Sequence, residues 1–340
     1  MKSICILRLS AIGDVCHALA LVNVLKKRWP DCKITWVLGK IEAQLMAGIE
    51  GVELVVFDKK AGLKGMRAVW KALKKRRFDA LLHMQIALRS SVLSLGIKAE
   101  RRIGFDRTRA GEGQWLFTRE SIALPEGYHV LDNFLEFARH LGVEEPKPDW
   151  SLPLPPEATE WAEKVIPGEQ ASLVICHSAS KAQRTWLPER YAAVADWASQ
   201  HGVRVLLCGG PGEAEMAMAD AIKEAAVFPV LNITGKTDLK TLWAVLGKAT
   251  AVLAPDTGPA HMASCQFTPT VGLYAHSNPR RTGPYNHQAL VVNRYDANIL
   301  AQAAKPWQEL PWGTRAKGEH LMAGIGVDEV IGKLKPVLLK

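Results

Sequence analysis

The chain has 340 residues, 48% of them hydrophobic and 23% charged, and its formal net charge is +9. This length suits two domains, and the composition is typical of a globular protein. No run of 18 uncharged apolar residues occurs, so the sequence predicts no membrane-spanning helix. Six cysteines without C-x-x-C spacing predict reduced core residues rather than a disulfide framework or a metal site. The excess of Lys and Arg indicates an anionic partner, whether a nucleotide, a nucleic acid or an acidic lipid surface.

In the first half of the chain, short apolar runs alternate with amphipathic segments. The alternation, with short connections, predicts a parallel sheet covered by helices on both faces, which is a Rossmann-like domain. The predicted strands are 4–9, 33–38, 52–57, 78–84 and 101–105, and the predicted helices are 15–29, 41–47, 63–77, 89–95 and 128–141.

Three prolines between positions 153 and 156 mark a boundary, because proline neither continues a helix nor pairs in a central strand. The alternation then restarts, with strands at 172–176, 204–208, 230–233, 250–254 and 268–274 and helices at 157–165, 188–200, 213–226, 239–247 and 259–265. The sequence therefore predicts an α/β fold of two Rossmann-like domains facing a central cleft, where ligands bind at the carboxyl ends of the strands. The expected domains are 1–155 and 156–325, and a C-terminal helix at 326–340 is a candidate to cross back to the first domain.

The segment from Val252 to Tyr285 combines a strand, a turn and a helix opening. Asp256, Thr257 and Gly258 form the turn, and Pro259 is expected at the first helical position, where its missing N–H is harmless. Free N–H groups and the positive end of a helix dipole make such a turn an anion site. The segment predicts a nucleotide-diphosphate site. His261, one turn into the helix, is either a packed helix residue or a phosphate contact.

Two further loops of the second half follow predicted strands. One holds the hydroxyl and cationic side chains Ser178, Ser180, Lys181 and Arg184, which suit phosphate oxygens, although a solvated basic loop fits the same residues. The other places Glu213 after two glycines, where an acidic side chain accepts ribose hydroxyls. A helix-start carboxylate favoured by the dipole is the alternative for Glu213.

In the first half, Asp14 lies where the first strand gives way to the first helix. It is either an N-cap or a ligand-facing carboxylate. Basic residues also cluster in this half, and Lys74, Lys75, Arg101 and Arg107 are candidates to bind an acidic acceptor at a membrane surface. A solvated charged face explains the same pattern.

Several of these segments together resemble one family, the bacterial ADP-heptose:lipopolysaccharide heptosyltransferases (glycosyltransferase family 9), over about residues 3–335. The segments are Ser10-Ala11-Ile12-Gly13-Asp14-Val15, Trp186-x-Pro188-Glu189-Arg190-Tyr191, Asp256-Thr257-Gly258-Pro259-Ala260-His261, Pro269-Thr270-Val271-Gly272-Leu273-Tyr274 and Arg281-Thr282-Gly283-Pro284-Tyr285. The resemblance implies a GT-B fold, an ADP-heptose donor, an inverting reaction without metal or other cofactor, and a lipopolysaccharide inner-core acceptor. It also implies a cytoplasmic enzyme, peripheral on the inner face of the inner membrane.

The resemblance assigns roles to individual residues. It makes Asp14 the general base, Glu213 the ribose ligand, and Asp256, Thr257 and Gly258 the ligands of the donor sugar and diphosphate. The family's diphosphate-binding Lys, two residues before the Trp, is Arg184 here, and Leu187 is an extra residue before the proline. Arg keeps the charge, and Lys181 is the alternative cation. No Asp-x-Asp pair is present to hold a metal-bound diphosphate.

Other functions fit parts of the pattern. An NAD-dependent dehydrogenase, a sugar-nucleotide epimerase or a transferase with another donor such as ADP-mannose also has two Rossmann-like domains. The first turn lacks the G-x-G-x-x-G fingerprint, which argues against the dehydrogenase. A nucleic-acid-binding protein is disfavoured by the absence of a known binding module.

Overall fold

The computed structural model describes residues 1–339, and the chain divides into two compact units that meet at Pro153 and Leu154. Each unit is a six-stranded, entirely parallel sheet with helices between the strands. Parallel strands need crossover connections, and here the helices supply them. Within residues 1–339, no helix is both long and apolar enough to cross a membrane.

The first unit has the strand order β3-β2-β1-β4-β5-β6. Its elements are β1 (Ser3–Leu7), α1 (Ile12–Arg28), β2 (Lys33–Gly39), α2 (Lys40–Met46), β3 (Val52–Phe57), α3 (Gly62–Leu73), β4 (Phe78–His83), α4 (Leu88–Ser94), β5 (Ala99–Gly104), β6 (Glu120–Ser121) and α5 (Val130–His140).

The centre of this unit is β1, whose residues Ile4 to Leu7 are completely buried because helices cover both faces of the sheet. On one face, Met66, Val69 and Leu73 of α3 pack against alternate residues of the strands. On the other face, α1 is buried over most of its length and packs against α5. Because α1 is covered by the sheet on one side and by α5 on another, most of its residues are apolar.

The second unit has the order β12-β11-β10-β7-β8-β9. Its elements are α6 (Pro156–Val165), β7 (Ser172–Cys176), α7 (Pro188–Gln200), β8 (Arg204–Cys208), α8 (Glu213–Ala225), β9 (Leu231–Asn232), α9 (Leu239–Lys248), β10 (Ala251–Pro255), α10 (Gly258–Cys265), β11 (Thr270–Tyr274), α11 (Pro279–Thr282), β12 (Val292–Asn293), α12 (Tyr295–Ala303) and α13 (Val327–Leu338).

The C-terminal helix α13 belongs to the core of the second unit. Val330 and Leu334 are fully buried in the same apolar cluster as Leu253 of β10 and Leu273 of β11. The segment before α13 is tied to the unit by Trp186, whose indole N–H donates to the carbonyl of Ile325 at 3.2 Å. These contacts fix α13 on the helix layer that also contains α7.

The predicted α/β class with two Rossmann-like domains is confirmed, and strands 52–57, 172–176 and 204–208 and helix 188–200 have the predicted bounds. The first helix begins at Ile12, three residues before its predicted start, because Ala11 already has the extended backbone of an N-cap. The prediction also lacked β6, α11, β12 and α12. Three of these have at most four residues, too few to show a hydrophobic period.

We predict that Leu334→Ala lowers the free energy of unfolding by about 2–5 kcal/mol, because it opens a cavity in a core that closes around α13. Chemical denaturation measures the loss, and hydrogen exchange locates it in β10 and β11. The exposed Leu300→Ala on α12 is the matched control, with an expected change within about 0.5 kcal/mol. Loss of protection confined to residues 1–153 would contradict this placement of α13.

Candidate active site

Both sheets reverse their strand order at the middle, between β1 and β4 in the first unit and between β7 and β10 in the second. At such a point the loops after the two strands run in opposite directions and leave a crevice outside their carboxyl ends, which is where open α/β sheets bind ligands. Each unit therefore has one expected ligand position. In both units an arginine–aspartate pair occupies it.

In the first unit, Arg8 follows β1 and reaches across the crevice. Its guanidinium Nη1 donates to the carbonyl of Met84, just after β4, at 2.6 Å, and Nη2 contacts the carboxylate of Asp14. The guanidinium also lies over the ring of Phe134, 5.3 Å from its centroid. The Arg8 side chain is only 9% exposed, so it is a fixed positive charge beneath the crevice.

Asp14 is the third residue of α1, and the N-cap position predicted as one alternative is occupied by Ala11. Asp14 Oδ2 accepts the Ala11 N–H at 3.3 Å and also contacts Arg8. Its side chain is 29% exposed, so the carboxylate is partly open to solvent. Asp14 therefore closes the first helical turn and still offers an oxygen, Oδ1, at the ligand edge of the sheet.

The loop that carries Arg8 is held by the side-chain amides of Gln85, which is half-buried, and Gln114, which is fully buried. Gln85 Oε1 accepts the N–H groups of Leu9 and Ser10 at 3.0 and 3.2 Å. Gln114 in turn donates to the carbonyl of His83 at 2.8 Å. Burial lowers the pKa of His83 to about 3, and the charge of Arg102 lowers it as well, so His83 is a neutral structural residue at physiological pH.

In the second unit, Arg184 follows β7 and Asp256 begins the turn after β10. Arg184 Nη1 donates to the backbone carbonyl of Asp256 at 2.8 Å and to its Oδ2 at 2.9 Å. Nη2 donates to the hydroxyl of Ser180 at 2.8 Å, and Nε–H has no partner within residues 1–339. The side chains of Arg184 and Asp256 are 17% and 11% exposed, which makes this a largely buried ion pair.

Asp256 is surrounded by groups that favour its charge. Burial raises the pKa of its carboxyl, but the neighbouring His261, the charge of Arg184 and the hydroxyl of Ser277 together hold that pKa well below its ordinary value. His261 Nε2 lies 3.8 Å from Asp256 Oδ1. The structure thus brings Asp256, Arg184 and His261 together, and it places His261 against the aspartate.

The turn after β10 leads directly into α10. Thr257 is the N-cap, its side chain makes no capping hydrogen bond, and the helix begins at Gly258, so Pro259 is the second helical residue rather than the first. Thr257 and Gly258 are partly exposed. The first-turn N–H groups of α10 therefore meet the crevice of the second sheet, as expected of an anion site.

A second cationic side chain lies near Arg184. Burial lowers the pKa of His276, which follows β11, and the charges of Arg315, Arg184 and Lys181 lower it further against an opposing contribution from the backbone of Ala316. Arg315, Arg184 and Lys181 thus all contribute positive potential at the His276 ring. Lys181 is exposed and has no ion-pair partner among the described residues, whereas Arg184 is paired with Asp256.

Ser178 and Glu213 flank this cluster at the ends of neighbouring strands. The Ser178 hydroxyl is 2.8 Å from Nδ1 of His177, whose pKa burial lowers to about 4. Glu213 is the first residue of α8 and is exposed at the carboxyl end of β8. The carboxylate of Glu215 folds back over the loop and lies close to Gly210. Its Oε2 would be 2.4 Å from a Cβ at that position. Of the two carboxylates, that of Glu213 is therefore the one accessible to a ligand.

The predicted acceptor residues are not brought together. Lys74 and Lys75 are exposed between α3 and the start of β4, so they lie at the edge of the sheet opposite Asp14. Arg101 lies within β5, where its Nη2 donates to Glu120 at 2.6 Å. Arg107 is exposed after β5, on the same edge as Asp14, and its guanidinium lies 5.0 Å from the centroid of the Trp115 ring.

Within residues 1–339, no group of three or more His, Cys, Asp and Glu side chains is arranged to hold a metal ion.

The chain is similar to known proteins along nearly its whole length. Residues 66–311 match glycosyltransferase family 9 (heptosyltransferase). Lipopolysaccharide core heptosyltransferase OpsX of Haemophilus influenzae is 46% identical over 334 residues, which cover 98% of this chain and 96% of OpsX. The chain belongs to glycosyltransferase family 9. It is therefore a glycosyltransferase of the heptosyltransferase family, as the sequence motifs predicted.

Solved structures share the fold. The family 9 glycosyltransferase of Veillonella parvula superposes with a TM-score of 0.81 at 23% identity and covers 99% of this chain and 97% of its own. The ADP-heptose lps heptosyltransferase II of Escherichia coli superposes with a TM-score of 0.75 at 19% identity and covers 100% and 99%. At these identities the likeness concerns the fold, and it confirms the GT-B class of two Rossmann-like domains.

Some of the family 9 motifs hold the site rather than form it. In the Arg-Thr-Gly-Pro-Tyr segment, the carbonyl of Thr282 accepts from the hydroxyl of Tyr274 at 2.7 Å. Next to the segment, Asn286 Nδ2 donates to the carbonyl of Ser264, near the end of α10, at 2.7 Å. A Cβ on Gly272 would lie 3.0 Å from the ring of Pro284. These contacts seat α10, and with it the Thr257 turn, against β11.

Sequence reasoning missed the partners of the predicted site residues. From the sequence, Arg8 is only one of the basic residues of the first half, and Gln85 and His276 carry no predicted role. Strand order could have found Arg8 and Gln85, because both directly follow the strands that flank the switch point. His276 carries no signal of its own, since its cationic neighbours come from loops distant in sequence.

We predict that Asp256→Asn lowers the free energy of unfolding by about 3 kcal/mol at neutral pH, because it leaves the Arg184 guanidinium without its buried counter-charge. The folded-state pKa of Asp256 is lowered, so its stabilisation is present above the unfolded pKa of about 3.9 and is lost as the pH falls below it. The difference between wild type and variant should therefore shrink below about pH 4.

Urea denaturation from pH 3 to pH 7 measures this difference. Asp220→Asn is the control, because Asp220 is an exposed aspartate of the same unit. If the difference in free energy of unfolding between wild type and Asp256→Asn is equally large at pH 3 and pH 7, the ion pair is not the source of that difference.

Proposed function

We propose that the chain transfers a heptose from an ADP-heptose donor to the inner core of lipopolysaccharide, with inversion at the anomeric carbon and without a metal ion. The observation that carries the proposal is the 46% identity to a lipopolysaccharide core heptosyltransferase over nearly the whole of both chains. The two switch points supply side chains that suit each half of the reaction.

The second unit is proposed to bind the donor. The N–H groups at the start of α10, with Thr257 and Gly258, suit the diphosphate, and Ser178 and Ser180 add hydroxyl donors. Glu213 is open at the end of β8, the strand next to β7, which is where dinucleotide-binding sheets place the carboxylate for ribose hydroxyls. Asp256 faces the donor sugar, because a carboxylate beside two phosphates is repelled.

Both candidate cations contribute in this proposal, but in different ways. Arg184 is held by Asp256 and Ser180, which leaves one Nη2 hydrogen for a phosphate oxygen. Lys181 is exposed and has no ion-pair partner in the part of the chain that the structure describes, so it can close over the same phosphates. Fixed donors and charges of this kind stabilise the departing ADP, and such stabilisation is usually the largest single catalytic contribution. His261 keeps Asp256 ionised and oriented.

Asp14 is proposed as the general base. Its Oδ2 is occupied by Arg8 and the Ala11 N–H, so Oδ1 is the oxygen that accepts the proton of the acceptor hydroxyl. As that hydroxyl oxygen bonds to the anomeric carbon, the bond from this carbon to the ADP oxygen breaks on the opposite face, which inverts the configuration. Arg8 fixes the rotamer of Asp14 and is a positioning residue.

The acceptor is a lipid, so the enzyme is proposed to work as a peripheral protein at the inner leaflet of the inner membrane. Arg107 lies on the edge that carries Asp14 and is the best placed of the predicted acceptor ligands. Arg101 has a carboxylate partner in Glu120 and is a weaker candidate. Lys74 and Lys75, at the opposite edge, are proposed to add attraction to an anionic surface rather than to contact the sugar.

We predict that Asp14→Asn lowers the transfer rate by at least about 100-fold while ADP affinity is kept, because general-base catalysis contributes about 100- to 10,000-fold. Asn keeps an oxygen for the Ala11 N–H, so loss of the helix cap does not explain the result. Asp31→Asn, an exposed aspartate just beyond the other end of α1, is the matched control and should retain full activity.

The assay measures ADP release from ADP-heptose, with ADP-mannose and UDP-sugars as alternative donors and truncated core sugars as acceptors. It is run with enzyme dialysed against EDTA, where undiminished rates are expected. Loss of ADP binding in Asp14→Asn would show a structural role instead. A rate that EDTA abolishes and Mg²⁺ restores would refute the metal-free reaction.

A further inference from the structure

The carboxyl edge of the first sheet is ringed by exposed apolar side chains. After each strand from β2 to β6, the loop or helix that follows contains at least one large hydrophobic residue that faces solvent. These residues are Ile41, Leu63, Leu88, Trp115, Leu116 and Leu124. In the second unit the exposed hydrophobic residues are scattered, and Val227 and Phe267 precede the strands β9 and β11.

The best defined part of this ring is the group Leu88, Trp115, Leu116 and Leu124, here called the edge patch. Its members are 45–68% exposed, and all of them follow β4, β5 or β6. Single exposed hydrophobic residues are normal on protein surfaces, so the edge patch is a candidate interaction site because four of them share one edge of the sheet.

The segment 111–116 that carries Trp115 and Leu116 is held in place from beneath. The side chain of Gln114 is fully buried and bonds to His83, and the carboxylate of Glu112 accepts the N–H of Leu88 at 2.7 Å. The outward direction of Trp115 and Leu116 is therefore built into the fold. The Glu112 bond also ties the segment to the start of α4, and so to Leu88.

The surroundings of the edge patch are basic. The first unit holds 25 Lys and Arg against 17 Asp and Glu, a net charge of +8, whereas the second unit holds 18 against 17. Arg107 lies over the Trp115 ring, and Arg89 and Arg119 are exposed nearby in sequence. Two acidic neighbours are engaged, since Asp106 pairs with Arg109 and Glu112 bonds to the Leu88 N–H, whereas Glu126 is exposed beside Leu124.

We propose that the edge patch docks the first unit onto an anionic lipid bilayer, with its leucines and Trp115 in the interfacial region and its arginines among the headgroups. This inference rests on the proposed function, since it supplies the reason why a lipid-linked acceptor reaches Asp14 on the same edge. Trp and Arg are typical of membrane interfaces, and apolar burial combined with basic charge is how peripheral proteins bind. A second copy of this chain is a poorer occupant, because two such basic surfaces repel each other.

Co-sedimentation of the full chain with vesicles tests the proposal. One set of vesicles contains phosphatidylglycerol and phosphatidylethanolamine, and the other contains phosphatidylcholine alone. The test variant is Leu116→Ser/Leu124→Ser, and the control is Val227→Ser/Leu300→Ser, which removes equally exposed apolar side chains from the second unit. We expect the test variant to bind the anionic vesicles at least about tenfold more weakly than wild type, and the control to match wild type.

Unchanged vesicle binding by the test variant, or equal loss in both variants, would overturn the proposal. So would a wild-type dimer in sedimentation velocity that becomes a monomer in the test variant without change in vesicle binding. Transfer to an acyl-free core acceptor is measured in parallel, and the test variant should keep the wild-type rate. If wild type fails on that acceptor, the proposed function fails. If it succeeds there and binds no vesicles, the docking surface alone is wrong.

Discussion

The reversal of strand order in the middle of each parallel sheet is the constraint on which the site depends. It separates two loops and opens a crevice between them. In both units an arginine in the loop after one strand, β1 or β7, crosses this crevice to a residue just after the neighbouring strand, β4 or β10. Arg8 reaches Met84 and Asp14, and Arg184 reaches Asp256. Each arginine neutralises an aspartate that would otherwise be a poorly solvated charge, and each fixes the position of that aspartate.

The two pairs differ in exposure, and this difference suits two roles. Asp256 is 11% exposed and surrounded by Arg184, His261 and Ser277, so it is held as a permanent anion that orients its neighbours. Asp14 is 29% exposed, and its Oδ1 has no partner among the described residues, so this oxygen is open to a ligand. In the proposed reaction, the second unit binds the charged donor and the first unit activates the acceptor.

Much of this arrangement could be predicted from the sequence. Apolar periodicity located most strands and helices, and the turn at Asp256 followed from its position between a strand and a helix. Asp14 was predicted in the turn before the first helix, but it lies within the first turn of α1. The partners of those residues could not be predicted, because Arg184 meets Asp256 across 72 positions and Arg8 meets Met84 across 76. The Trp186 and Gly283 segments were assigned to the family correctly, but their contacts are with Ile325 and Pro279, where they support the site from outside. Lys74 and Lys75 show the limit of charge patterns, since a run of lysines does not reveal which edge of a sheet it occupies.

The central claim is that the two arginines divide the work, Arg184 serving the donor and Arg8 serving the base. Calorimetric titration of ADP into Arg184→Gln and Arg8→Gln tests it most directly. The account predicts that Arg184→Gln weakens ADP binding by about tenfold or more, since a charge-assisted hydrogen bond contributes about 1.5–3 kcal/mol, and that Arg8→Gln binds ADP like wild type. Loss of ADP affinity in Arg8→Gln, with normal affinity in Arg184→Gln, would contradict it.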